Sequence, residues 1–262
     1  MQWRDPTLKE VIDYLQQTRD ESLLVDASGY LQHLTYNNDL IKEECRQYNA
    51  IPALVNLLNT SSSPEVLRNA CGCLKNLAFG RANDPNKRLI HEAGGVRALA
   101  KVLQRAAERS PALVEEASGA LWNLSSADEL KEVVLKQAAE AVVSCVVVPW
   151  SGLRPPQVAL AAAQGQQPPH PSASNIYRNG SGILRNVSGT SANARKTLRA
   201  APNLVDALVY ALASALQRNQ LDTRGVENTV CLLRNLSYRQ VTTEIENAGP
   251  SVPLSPGRPS HA

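Results

Sequence analysis

The chain has 262 residues, long enough to bury a sizeable core as one domain or two. Leu (34) and Ala (33) outnumber Phe, Trp and Tyr (11 together), which favours helices over a β-rich domain needing more aromatic and β-branched side chains. A formal net charge of +3 is too small to mark a nucleic-acid binder, and the longest apolar run, 141–150, is half of the roughly 20 residues a membrane span needs.

Taken in chain order, the opening Met1-Gln-Trp3-Arg-Asp-Pro6 is polar and has no secretory pattern. Asp5-Pro6 sets a capping side chain before a proline, as at the start of a helix. Gly29-Tyr-Leu-Gln-His33-Leu-Thr35 then introduces a pattern that occurs five times. The other copies are Gly72-Cys-Leu-Lys-Asn76-Leu-Ala78, Gly119-Ala-Leu-Trp-Asn123-Leu-Ser125, Gly182-Ile-Leu-Arg-Asn186-Val-Ser188 and Cys231-Leu-Leu-Arg-Asn235-Leu-Ser237. Steps of 43, 47, 63 and 49 residues separate the positions of His33 and the four Asn. A period in the forties with helical content points to armadillo or HEAT units. Ser63-Pro64 and Ser110-Pro111 open the helices carrying the second and third copies. Between them lie a short helix around 86–93, the Gly94-Gly95 break and an amphipathic helix with apolar residues at 96, 99, 102 and 103. This is the three-helix armadillo unit rather than a two-helix one.

Val142-Val-Ser-Cys-Val-Val-Val-Pro149 is β-branched and would be a strand by propensity, but the repeat register assigns it to a helix. The long step of 63 residues is explained by a breaker-rich loop insertion over 151–175 in the fourth unit, and the Pro-rich tail 241–262 is expected to be disordered. The reading is therefore an all-α, right-handed superhelical armadillo solenoid of about five three-helix repeats, spanning 3–240.

Such a solenoid presents one concave face. In all five copies Leu stands two before the Asn position and an apolar residue one after it, so these anchor the helix and turn the Asn partly outward. Four residues before it, on the same face, stand Gly29, Gly72, Gly119 and Gly182. Each helical glycine costs roughly 0.5–1 kcal/mol against alanine. Either the helices pack closely there, or the glycines form a smooth floor on which an extended peptide lies while Asn side chains such as Asn76 and Asn123 bond its backbone. Lys75, Arg185 and Arg234 directly precede their Asn, Trp122 does so in the third copy, and Lys42 and Lys87 fall in short first helices near the exposed end. A positive groove with an amphipathic Trp suits an acidic, partly apolar peptide. The plainer alternatives are a solvated helix face for each cation and core packing for Trp122.

No phosphate loop, paired-His metal motif or nucleophile elbow occurs, and His33, His91, His170 and His261 lie in unrelated contexts, so no enzyme, cofactor or metal is expected. Cys45, Cys71, Cys73, Cys145 and Cys231 lack ligand spacing and read as buried thiols of an intracellular protein.

Trp3-Arg-Asp-Pro6, Ala70-Cys-Gly-Cys-Leu-Lys-Asn-Leu77, Gly119-Ala-Leu-Trp-Asn-Leu-Ser-Ser126, Val148-Pro-Trp-Ser-Gly152 and Val226-Glu-Asn-Thr-Val-Cys-Leu-Leu-Arg-Asn-Leu-Ser-Tyr238 resemble the delta-catenin and plakophilin branch of armadillo proteins. The first of these is closer to delta-catenins than to desmosomal plakophilins. The resemblance implies a cytoplasmic scaffold at adherens junctions, with the nucleus as a second location. Its concave groove would hold the acidic juxtamembrane tail of a classical cadherin, shield it from endocytosis and stabilise adhesion; other junction or cytoskeletal proteins are further implied partners. The family's groove residues fall on Trp3, Lys42, Lys87, Trp122 and Asn123, with Lys75 and Asn76 in the same stripe. The family has more repeats than are visible here, a basic loop expected after the fifth is missing, and the usual Gly is absent near Ala50-Ile-Pro52. A nuclear-import adaptor is the rival from another class, but such adaptors place Trp one turn before each Asn, where this chain has Gly.

Overall fold

The structure, a computed structural model, describes residues 4–154 and 170–238. Trp3, most of the expected insertion and the tail 241–262 lie outside the described residues. Within them the chain is helical and has no strand. The first unit consists of α1 (Leu8–Gln17) and α2 (Glu21–Thr35). The second has α3 (Asp39–Gln47), α4 (Ala50–Thr60) and α5 (Pro64–Leu77), and the third α6 (Asp84–Glu92), α7 (Gly95–Ala106) and α8 (Pro111–Ser125). In the fourth, α9 (Asp128–Val142) continues through a π turn (Val143–Val147) and a last α turn (Val148–Trp150), and α10 (Asn175–Ser188) follows the insertion. The fifth contains α11 (Ala192–Arg199), α12 (Leu204–Gln217) and α13 (Arg224–Ser237). The motif helices α2, α5, α8, α10 and α13 stack in succession.

Local chemistry fixes most of these boundaries. Ser63 and Ser110 stand at the N-cap positions ahead of Pro64 and Pro111, but only Ser110 caps with its side chain, accepting from the Leu113 N–H, while Ser63 makes no side-chain cap bond. The expected cap at Asp5-Pro6 is corrected: α1 starts two residues later on Thr7, which forms a reciprocal capping box with Glu10. Glu10 also pairs with Arg4, and these bonds hold its carboxyl down at about 2. The break between first and second helices needs a left-handed residue, and the second, third and fifth units supply Asn49 (φ 57°), Gly94 (φ 81°) and Asn203 (φ 59°). Asn49 thus replaces the glycine absent from the second unit.

The fourth unit departs from the expected triplet, because its first two helices are fused. The β-branched run is helical, as the register requires, yet it includes a π turn just before Pro149. That proline lacks the N–H that would bond back one turn and its ring crowds the carbonyl there, so the ladder widens. The resulting helix, 128–150, is long and apolar enough to cross a membrane by length and composition, but most of it is buried in the solenoid. Five stacked triplets therefore become three: the first unit has two helices among the described residues, and the fourth has a fused pair.

The core runs continuously through the units, with Leu31, Leu74, Leu121 and Leu184, each two before the Asn position, fully buried. Cys45, Cys71 and Cys73 belong to it, and burial pushes the Cys45 thiol up to about 12. Cys145 and Cys231 are half-exposed, a correction to the reading of five buried thiols.

Candidate binding groove

The motif asparagines first serve the solenoid itself. Asn76 Nδ2 donates to the Gln32 carbonyl (3.0 Å) and Asn123 Nδ2 to the Lys75 carbonyl (2.8 Å). Asn186 and Asn235 donate to the hydroxyls of Ser125 and Ser188, each at 3.0 Å. Every bond ties one motif helix to the one before it. The amide oxygens of Asn76 and Asn123 accept no hydrogen bond among the described residues, and both side chains line one cleft. The groove therefore offers acceptors, while N–H groups of both amides are already engaged: Asn76 Nδ2 also donates to the Thr35 hydroxyl at 3.4 Å.

Seven residues upstream of each motif Asn runs a second ladder that the sequence reading missed. Asn69 Nδ2 donates to the Val25 carbonyl (3.2 Å), Asn179 Nδ2 to the Glu115 carbonyl (3.1 Å) and Asn228 Nδ2 to the Arg178 carbonyl (3.2 Å). The signal was present as Asn recurring at 69, 179 and 228, but Glu116 interrupts it in the third unit and Asp26 in the first.

The two readings of the glycines separate cleanly. A Cβ on Gly72 would collide with the Gln32 amide, one on Gly119 would lie 2.8 Å from Lys75 Cδ, and one on Gly182 2.5 Å from Trp122 Cε2. Each glycine thus seats the residue that precedes the Asn position in the unit before. The smooth-floor expectation is corrected: close packing holds, and the floor is covered by these side chains. In the fifth unit Cys231 replaces the glycine, and there Arg185 bonds Glu227 and Asn228, both at 3.0 Å.

The cleft is an open space of about 330 Å³, at the small end of ligand pockets. Lys75, Asn76, Trp122 and Asn123 line it together, as their register suggests; of the two short-helix lysines that the family resemblance indicates, Lys42 lines it and Lys87 does not. Both lysines of the short helices are buried rather than at an exposed end: Lys42 is 3% and Lys87 1% exposed. A buried ammonium needs a partner. Lys42 Nζ lies 2.9 Å from Asp39 and 5.9 Å from the Phe79 ring centre, and its bond, with a second from Asn83, lowers the Asp39 carboxyl. Lys87 Nζ lies 2.8 Å from Asp84 and 2.9 Å from the Ser126 hydroxyl, bridging the first helix of the third unit to the end of its motif helix. Lys75 Nζ is 2.6 Å from Glu116. The cationic wall is therefore largely compensated from within. Trp122 is half-buried: its edge rests on Gly182, the Arg178 guanidinium stands 5.9 Å from its ring, and it still faces the cleft. Tyr36 and Phe79, 68% and 60% exposed, add aromatic surface that no repeat position announced.

The armadillo/beta-catenin-like repeat family matches residues 37–79 and 83–126, the second and third units. The chain is 49% identical over 239 residues to the juxtamembrane domain-associated catenin of Caenorhabditis elegans, covering 91% of this chain and 18% of that protein. It is 40% identical over 237 residues to human catenin delta-2 (90% and 19%) and 35% identical over 236 residues to human plakophilin-3 (90% and 28%). It thus spans between about a fifth and just over a quarter of these relatives' length. Among solved structures, a designed armadillo repeat protein superposes with a TM-score of 0.53 at 17% identity, covering 88% of this chain and all of that one. A tandem of helical units stacked through asparagine ladders, with this similarity across nine-tenths of its length, makes the chain a member of the delta-catenin and plakophilin branch of the armadillo-repeat family.

Proposed function

We propose that this chain is a peptide-binding adaptor of cell–cell junctions, whose second to fourth units hold the acidic juxtamembrane tail of a classical cadherin in the concave groove. The family is a non-enzymatic one. The observation that carries the reading is a single cleft combining free amide oxygens of Asn76 and Asn123, the indole of Trp122 and the ammonium groups of Lys42 and Lys75. An extended peptide has one backbone N–H per residue to give to such acceptors, and its apolar side chains can lie on Trp122, Phe79 and Tyr36. Lys87 contributes at one remove by fixing Ser126 at the end of the motif helix. A relative bearing the name juxtamembrane domain-associated catenin supports this choice of partner.

Calorimetry with an acidic cadherin juxtamembrane peptide, beside a basic import-signal peptide, tests the proposal. The acidic peptide should bind and the basic one should not. Trp122→Leu should weaken the acidic peptide by about 2 kcal/mol, as for a binding hot spot. Preference for the basic peptide, or unchanged affinity for a folded Trp122→Leu, would refute it.

A further inference from the structure

Three cations line the cleft, and they are not equivalent. Lys42 is matched by Asp39 at 2.9 Å and Lys75 by Glu116 at 2.6 Å. Arg178 has no carboxylate partner among the described residues, and its Nε is buried without a hydrogen-bond acceptor. Leaving a buried donor unmatched is unfavourable, and the cation–π contact with Trp122 offsets only part of that. A guanidinium also has a planar donor fork that fits a carboxylate in a way a lysine ammonium does not.

Among the described residues, the one acid lining the same cleft is held elsewhere. Glu115 Oε1 accepts from Asn175 Nδ2 at 2.9 Å, and its backbone carbonyl accepts from Asn179. Arg178 in turn is anchored at its own backbone, where its carbonyl accepts from Asn228. Its backbone is thus tied to the fifth unit and its guanidinium lies within cation–π distance of Trp122 of the third, with no carboxylate partner among the described residues.

We infer that Arg178 receives a carboxylate of the bound peptide beside the Trp122 ring, and that Glu115 opposes it. This rests on the groove reading above and deepens it. Arg178 adds an acid-receiving group at the fourth unit to the internally paired lysines of the second. The ligand that fits is an extended segment with an Asp or Glu at Arg178, an apolar neighbour against the indole, and its backbone on the Asn123 amide oxygen.

The test uses a fluorescein-labelled acidic juxtamembrane peptide and fluorescence anisotropy, with each peptide Asp or Glu changed in turn to its amide. Arg178→Met, which keeps the aliphatic stem, should bind the parent peptide at least tenfold more weakly. One amide position should weaken binding to the wild type but not further to Arg178→Met. Glu115→Gln should bind the parent peptide about threefold more tightly, and it decides the matter alone if Arg178→Met proves unfolded by circular dichroism. Equal affinity of wild type and a folded Arg178→Met overturns the inference, as does equal loss at every amide position in both proteins, or no tightening in Glu115→Gln. If Trp122→Leu still weakens the peptide while Arg178→Met does not, the inference alone fails. If neither does, the groove reading fails with it.

Discussion

Gly182 is the position where packing and intrinsic helix preference disagree in sign. It lies inside α10, where Ala would be favoured by about 0.5–1 kcal/mol. A Cβ there would lie 2.5 Å from Trp122 Cε2 and 2.6 Å from its Nε1, closer than real Cβ atoms come. The indole is rigid and has the Arg178 guanidinium 5.9 Å from its ring, so the clash is relieved only by moving the ring or the helix. Such overpacking costs about 1–3 kcal/mol, so Gly182→Ala should destabilise by about 1 kcal/mol net. In a Trp122→Ala background the obstruction is gone, and the same substitution should stabilise by about 0.5–1 kcal/mol. Urea denaturation followed by far-ultraviolet circular dichroism measures all four proteins of the cycle. The m-values should be compared as well, because a repeat array can lose cooperativity. Gly182→Ala that stabilises the wild type, or that destabilises equally in both backgrounds, would refute the assignment of this glycine as the seat of Trp122.

Three further outcomes are expected. Asn123→Ala should cost about 1 kcal/mol by losing the bond to the Lys75 carbonyl, and Asn123→Asp should cost more by facing that carbonyl with an acceptor; thermal melts that rank the two the other way would contradict the ladder. Lys87→Glu sets a carboxylate beside Asp84 at a 1%-exposed site and should destabilise by about 3 kcal/mol or more, whereas Lys87→Met should cost far less; a Lys87→Glu protein melting like the wild type would show the ammonium is not confined there. Because burial raises the Cys45 thiol to about 12 while an unfolded thiol titrates near 9, the native state binds more protons above pH 9. Stability should therefore fall as pH rises from about 9 to about 12, with Cys45 contributing up to about 1.4 kcal/mol per pH unit beside the buried thiols of Cys71 and Cys73, which burial also raises, and Cys45→Ala should make the fall shallower by about that amount without abolishing it; denaturation midpoints against pH check it.

The helical triplets and their register are legible in the chain because each depends on neighbours a turn or less away. Ser63-Pro64 and Ser110-Pro111 mark helix starts, Leu74 with Leu77 and Leu121 with Leu124 mark the buried stripe, and the recurrence of Asn76, Asn123, Asn186 and Asn235 marks the stacked helix. The same periodicity brought Lys75, Asn76, Trp122 and Asn123 to one cleft, while Lys42, from a short first helix, was indicated by the family resemblance. The fusion in α9 was less visible, since the missing break at its middle leaves no residue to announce it.

What each side chain touches across the stack was decided only in three dimensions. Lys75 over Gly119, Trp122 over Gly182 and Asn123 on the Lys75 carbonyl join residues about 40 to 60 positions apart, and their pairing depends on the offset and rotation between units. That offset turned glycines from a floor into seats, and it left Arg178 beside the indole without an acid partner among the described residues while Glu116 reached Lys75. A repeat period sets which face a residue occupies. The neighbouring unit, displaced by one step of the superhelix, sets what covers that face and which charges remain uncompensated.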